Sequence, residues 1–334
     1  MHYRTVTCAA AAFVVLAGLP ALAQETTIRV LAPTWVGFAP ALVAQDLGCY
    51  AEEGYTLDFR FEDDRANVMA AMERGDIDAD MRTVGEHQGR PRVAETPGTI
   101  IGTIDISVGG DGVVVDGSIE SVSDLAGMTV AIEPNIPARL LLQVTLAEAG
   151  LSIDDVNLLE IATADTISVF SDPSIAAVGT YEPFLSQTIQ IVTDRNPRVL
   201  VSSRDLPGVI VDIITARDEA LAETPEKFET LLRCVYRAVD FQRENPNDFA
   251  ELAAPYFGLT AADVTEIIET SLSYTSYEEA VEMLGTDRET GRLHEVFDEV
   301  MQLNIEYGAA DTALDPNEEI NNSLLTGLFD GHDR

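Results

Sequence analysis

Hydrophobic and polar positions along this chain switch between two periods, and the switches mark out its elements. In Thr27–Ala32 apolar residues are interleaved with Thr27 and Arg29, the pattern of a half-buried strand. Residues 55–61 alternate strictly, with Tyr55, Leu57, Phe59 and Phe61 on one face. Residues 77–81 and 99–106 read as further strands. A helix is predicted over 39–53, with Pro40 suited to its first turn and Gly54 to its end. A second is predicted over Arg65–Arg74, capped by Asp63 or Asp64 and stopped by Gly75. Strand, loop and helix in repetition imply a mostly parallel sheet covered on both faces.

The rhythm breaks at Ser107-Val108-Gly109-Gly110-Asp111-Gly112, where three glycines suit a crossover to a second lobe. A second α/β set follows, with strands near 112–115, 128–132, 156–161 and 175–178. Helices are expected at 137–149 and 183–191. The first has Asn135 just upstream, an apolar face of Leu140, Leu141, Val144 and Ala147, and Gly150 at its end. Residues 209–216 form an apolar strand read as the return crossover. Helices then fill 224–245, 247–256, 261–272, Tyr277–Leu284 and 288–307, and the polar remainder from Gly308 is expected to lie loosely on the surface. No internal repeat is seen. The expected division is 24–108 with 213–307 for one lobe, 109–212 for the other, and 308–334 as a tail.

The first residues carry a different signal. Arg4 precedes an apolar run over 6–19, Pro20 breaks it, and Ala21-Leu22-Ala23 offers a small-x-small cleavage pattern. The apolar core is about 14 residues, short of the roughly 20 that span a bilayer as a helix. Residues 1–23 are therefore expected to be a cleaved signal peptide, leaving a soluble protein in the periplasm. Cys8 lies inside the apolar core, so no lipid-anchored cysteine is indicated.

Composition narrows the class. The chain has 20 basic and 57 acidic residues, a net charge of −37. Nucleic acid is excluded as a partner, because phosphate binding needs a basic surface. Lys227 is the only lysine. Two cysteines follow the leader, Cys49 and Cys234; an oxidising compartment permits a disulfide, but two free, buried thiols are the expected state. No HExxH, CxxC or paired Cys/His spacing points to a metal, and no cofactor is expected.

Ordered short motifs carry a family resemblance across 27–307. They are Trp35-Val36-Gly37-Phe38-Ala39-Pro40, Gly48-Cys49-Tyr50-Ala51-Glu52-Glu53-Gly54, the run 70–80 (AAMERGDIDAD), and Gly110-Asp111-Gly112-Val113-Val114-Val115. Ser123-Asp124-Leu125-Ala126-Gly127-Met128-Thr129-Val130-Ala131 follows, and Ala176-Ala177-Val178-Gly179-Thr180-Tyr181-Glu182-Pro183 is the last. The chain thereby resembles the periplasmic binding proteins of nitrate-, sulfonate-, taurine- and thiamine-precursor-type ABC importers. It departs at Ser174-Ile175, where the family more often has an acid before the alanines. The resemblance implies an α/β, bilobal (type II) binding protein, two lobes joined by two crossover strands. It also implies a monomer that captures a small-molecule ligand and works with a permease and an ATPase.

Ligands of open α/β sheets sit beyond the carboxyl ends of strands, near helix N-termini. The candidate ligand residues are therefore Trp35, Phe38, Asp63, Thr83, Asp105, Asp111, Asn135, Tyr181, Glu182 and Asp212. Trp35 is read as a stacking wall or as lobe packing, and Glu182 as a ligand contact or a helix-terminal charge. Asp212, set among Val-Ile-Val and Ile-Ile, either faces the cleft or anchors the hinge. Arg82 and Arg139 fit surface or ion-pair roles better than ligand contacts. These acids favour a zwitterion or nitrogen-rich ligand over a plain oxyanion. Two other functions stay open: an enzyme similar to thiamine-pyrimidine synthases, which use a lysine, and a secreted receptor for a membrane sensor.

Overall fold

The computed structural model describes residues 26–92, 96, 98–286 and 288–332. The expected signal peptide lies outside them. Among the described residues no helix is long and apolar enough to cross a membrane.

Among the described residues eleven strands fall into two sheets. They are β1 (Thr27–Ala32), β2 (Thr56–Phe61), β3 (Ala79–Thr83), β4 (Thr99–Ser107), β5 (Asp111–Val115), β6 (Thr129–Ile132), β7 (Asn157–Glu160), β8 (Ile175–Tyr181), β9 (Arg198–Ser202), β10 (Val211–Ala216) and β11 (Leu272–Tyr274). The first sheet runs β11-β4-β10-β3-β1-β2 and the second β7-β6-β8-β5-β9. A small two-stranded ladder joins Gly285–Thr286 to Glu289–Thr290. The expected parallel pairing holds only for β2-β1-β3 and β7-β6-β8. The strands β4, β10, β5 and β9, which flank the crossovers, pair antiparallel with their neighbours. The chain thus makes a bilobal α/β fold.

The chain passes from the first sheet to the second between Ser107 and Asp111 and returns between Ser202 and Val211. The return strand lies wholly in the first sheet, so the expected boundary between 212 and 213 falls inside β10. The two passages are fastened to one another. Ser107 Oγ and Ser203 Oγ are 2.8 Å apart, and the Gly109 N–H donates to Ser203 Oγ at 2.6 Å. A Cβ on Gly110 would sit 2.3 Å from the Trp35 ring, so only glycine lets the first passage run this close to the indole.

Helices cover the sheets: α1 (Ala39–Asp46), α2 (Cys49–Glu52), α3 (Arg65–Arg74), α4 (Val84–Gln88), α5 (Pro137–Glu148), α6 (Thr166–Phe170), α7 (Phe184–Ile191), α8 (Asp218–Glu223), α9 (Pro225–Glu244), α10 (Pro246–Phe257), α11 (Ala261–Ser271), α12 (Tyr277–Leu284), α13 (Arg292–Glu306) and α14 (Pro316–Glu319). The expected single helix over 39–53 is two, because Gly48 takes a left-handed φ of 84° between them. Helix α3 matches its expected bounds, Asp64 accepting from the Ala66 N–H at its start and Gly75 closing it at φ 74°.

Two expectations are corrected. Cys49 and Cys234 are not free thiols but form a disulfide tying α2 to α9 across 185 residues. The segment after Gly308 is not loose. Ala310, Leu314, Leu324, Leu325 and Leu328 join the core of the first lobe. Glu319 accepts from Arg92 Nη2 at 2.7 Å and pairs with His87 Nε2 at 2.9 Å, all three side chains being buried.

Candidate functional site

Four carboxyl groups converge where the lobes meet. Asp105 and Asp212 are cross-strand partners on β4 and β10, at the ends of those strands next to the two passages. Asp111 opens β5 just beyond the first passage, and Glu86 stands in the first turn of α4. All four are buried. Their positions are fixed locally. Thr83 and Glu86 form a reciprocal cap, with the Thr83 N–H and Oγ1 donating to Glu86 Oε2 at 3.2 and 2.9 Å. Trp35 Nε1 donates to Asp105 Oδ2 at 3.2 Å, and Ser107 hydrogen-bonds Asp111.

Burial raises the pKa of each aspartate. Asp105 is pushed to about 7 by burial, with hydrogen bonds from Trp35 and Asp212 pulling it back. Asp111 is also raised to about 7, by burial first and then by the charges of Glu86, Asp105 and Glu182. Asp212 is raised well above its ordinary value by burial, then by Asp105, Asp111 and Glu86. The hydrogen bond they share lowers Asp105 and raises Asp212, so Asp212 is the one that holds its proton to the higher pH.

Among the described residues no basic side chain is hydrogen-bonded or ion-paired to any of these three aspartates. Arg82 is buried in β3, but its guanidinium is engaged elsewhere. It lies 3.1 Å from Glu86 Oε1 and 3.5 Å from Asp80, and it donates to the Glu62 carbonyl at 2.7 Å. Among the described residues no His, Cys, Asp and Glu grouping could hold a metal ion.

Two adjoining spaces lie here. A void of about 20 Å³ is walled by Pro33, Trp35, Thr83, Glu86, Asp111, Pro137, Tyr181 and Asp212. A larger cavity of about 330 Å³ shares the walls Thr83, Glu86 and Pro137. It extends past Asn135, Arg139 and Gln143 on one lobe and Asn304 and Tyr307 on the other. Contacts bridge the lobes around both. Tyr181 Oη donates to Asp63 Oδ1 at 3.3 Å, Asn135 Nδ2 to the Arg90 carbonyl at 2.9 Å, and Gln143 Nε2 to the Tyr307 carbonyl at 3.2 Å.

The residues expected at the site divide accordingly. Trp35, Thr83, Asp111, Tyr181 and Asp212 line the small void, Asn135 lines the larger cavity, and Asp105 stands behind Trp35. Asp63 holds Tyr181 and the Thr34 N–H instead of facing either space. Phe38 is fully buried in the first lobe's core and lines neither. Glu182 lies two residues before α7 and is turned onto it, accepting from Ser186 Oγ at 2.6 Å and the Ser186 N–H at 3.2 Å. Arg139 is partly exposed, 3.7 Å from Glu160. Glu86 and Gln143 were not foreseen; the Thr-x-x-Glu spacing of 83–86 is the capping signal that would have found the first.

Known proteins agree with this architecture. Residues 35–249 match the model of a family described as NMT1/THI5 like. A protein of Brucella abortus, named only as a binding protein, is 24% identical over 301 residues, covering 89% of this chain and 91% of its own. The alkanesulfonate-binding protein SsuA from Xanthomonas axonopodis, solved with MOPS bound, superposes with a TM-score of 0.74 at 14% identity, over 89% of this chain and 99% of its own. The periplasmic nitrate-binding protein NrtA from Synechocystis gives 0.72 at 14% identity, over 92% and 89%. The chain belongs to the NMT1/THI5-like family.

Proposed function

We propose that this chain is the exported, soluble solute-binding component of an ABC importer, working as a monomer and closing its lobes over a small polar molecule that carries nitrogen. The observation that carries the reading is the buried set of Asp105, Asp111, Asp212 and Glu86 in the cleft. Asp105, Asp111 and Asp212 have no cationic partner among the described residues; buried acids in that state are costly, and an amino, amide or amidine group would supply the missing donors. The solved relatives are named for sulfonates and nitrate; an acid-lined cleft argues for a different ligand charge here. Residues 26–107 with those from Val211 onward form one lobe in this reading, and the second sheet with its helices forms the other.

Catalysis is not part of this reading. Lys227 is buried and lies 3.4 Å from Asp78, which Arg29 also grips in a bidentate pair. Asp78 precedes β3, at the end of that strand opposite Thr83 and the cleft. The lysine is thus poorly placed to carry a substrate.

A thermal-shift panel on the purified mature protein tests the ligand class. Amines, amides and amidines are expected to raise the melting midpoint. Stabilisation by nitrate or plain alkanesulfonates alone would sink the idea. Loss of uptake of the stabilising compound in a deletion strain separates an importer from a sensor.

A further inference from the structure

The small void has a size and a lining that together specify a chemical group. At about 20 Å³ it has room for a single water-sized group. Its walls carry three carboxyl groups, Glu86, Asp111 and Asp212, and two aromatic residues, Trp35 and Tyr181. We infer that this void is the seat of a primary ammonium group, and that the ligand is an amine whose polar body runs past Thr83 and Pro137 into the 330 Å³ cavity. The inference rests on the binding function proposed above and sharpens it to one head group.

Size makes the first discrimination. An ammonium is compact and has three donors, which the lone pairs left on Asp111, Asp212 and Glu86 beyond their bonds to Ser107, Asp105, Arg82 and Thr83 can accept. A planar guanidinium or amidine needs several times that room, and each N-methyl removes a donor while adding bulk. Charge makes the second. Arg82 is already committed, so an incoming cation is the group that offsets the cluster. Aromatic rings beside a desolvated cation add to its binding.

The larger cavity indicates what the rest of the ligand presents. Arg139 Nη1 there is buried and makes no hydrogen bond, its distance to Glu160 Oε1 being 3.7 Å. An acceptor oxygen on the ligand body fills that gap.

The test is a matched series measured by calorimetry on the mature protein. Taurine, β-alanine and ethanolamine are each compared with their N-methyl, N,N-dimethyl and N,N,N-trimethyl forms and with the same molecule lacking nitrogen. Within any series that binds, affinity is expected to fall at least tenfold per methyl, and the nitrogen-free member not to bind. In Asp111→Asn the preference for the primary amine is expected to collapse, with folding verified by the thermal midpoint. Equal or tighter binding of trimethylated members overturns the inference. So does binding of amides or amidines when no primary amine binds, and in both cases the binding function stands. Binding of nothing in the amine, amide or amidine sets overturns both.

Discussion

Replacing Asp111 by asparagine should stabilise the empty protein, by an amount that depends on pH in a defined direction. Asp111 is 4% exposed, and burial with neighbouring acids lifts its pKa from 3.8 to about 7. Below pH 4 the group is protonated in both folded and unfolded chains, so it adds little. Above pH 4 the unfolded chain releases the proton while the folded chain retains it. The folded state therefore loses about 1.4 kcal/mol per pH unit until the folded pKa is passed. The accumulated penalty is about 2 kcal/mol at pH 5 and about 4 kcal/mol at pH 8. Asparagine keeps the shape and the Ser107 contact but cannot ionise. The variant should gain that much over the wild type, most at pH 8. Urea unfolding of ligand-free protein at both pH values measures it. A variant less stable than wild type at pH 8, or a gap larger at pH 5 than at pH 8, refutes the reasoning.

Other outcomes follow from the same geometry. Changing Cys49 and Cys234 to serine opens a link across 185 residues, with a chain-entropy ceiling of about 5 kcal/mol. Reductant should lower the wild-type urea midpoint in the same way, and an unchanged midpoint would count against the bond. Tyr181→Phe deletes the hydroxyl that reaches Asp63 across the cleft, worth about 1 kcal/mol, so amine affinity should drop about fivefold by calorimetry. Phe38→Ala should cost about 3–5 kcal/mol of stability while leaving affinity unchanged in the molecules still folded. A loss of affinity at intact stability would put Phe38 back in the site.

What was legible in the sequence was whatever a short window can contain. Helix α3 could be bounded to the residue because its cap, Asp64, and its stop, Gly75, are local chemistry. Strands β1 and β2 showed their period of two. By contrast β11 has three residues, extended because β4 lies beside it, and β9 is an edge strand paired with β5. The disulfide joins residues 185 apart, a proximity that only tertiary packing creates. Among the C-terminal leucines only Leu324, Leu325 and Leu328 share a helical spacing, over barely one turn, too short a run to predict burial, yet long-range packing buries them. At the site, Asp212 stood out because an acid amid Val and Ile is out of place. Phe38 ends the short turn Val36–Phe38 and is buried in the core, while Trp35 just before it lines the small void; the turn makes that choice, and a sequence pattern does not display it.

The cluster also bears on how binding is coupled to closure. In the proposed function the four acids draw on both sheets, Asp105, Asp212 and Glu86 going with the first and Asp111 opening the second sheet's β5, so closing the lobes over a ligand brings the acids together. Mutual repulsion and lost hydration oppose that closure in the empty protein. A ligand acts on such an equilibrium only through its differential affinity for the two states, and moving it from 1:99 to 99:1 takes about 5.5 kcal/mol. A cation held among the carboxyl groups contacts both lobes at once only when they are closed. By offsetting the charge on Asp111 it relieves part of the burial penalty that the folded chain carries relative to the unfolded one, about 4 kcal/mol at pH 8. In the proposed function the acids that weaken the empty fold are thus the groups through which a cationic ligand favours closure.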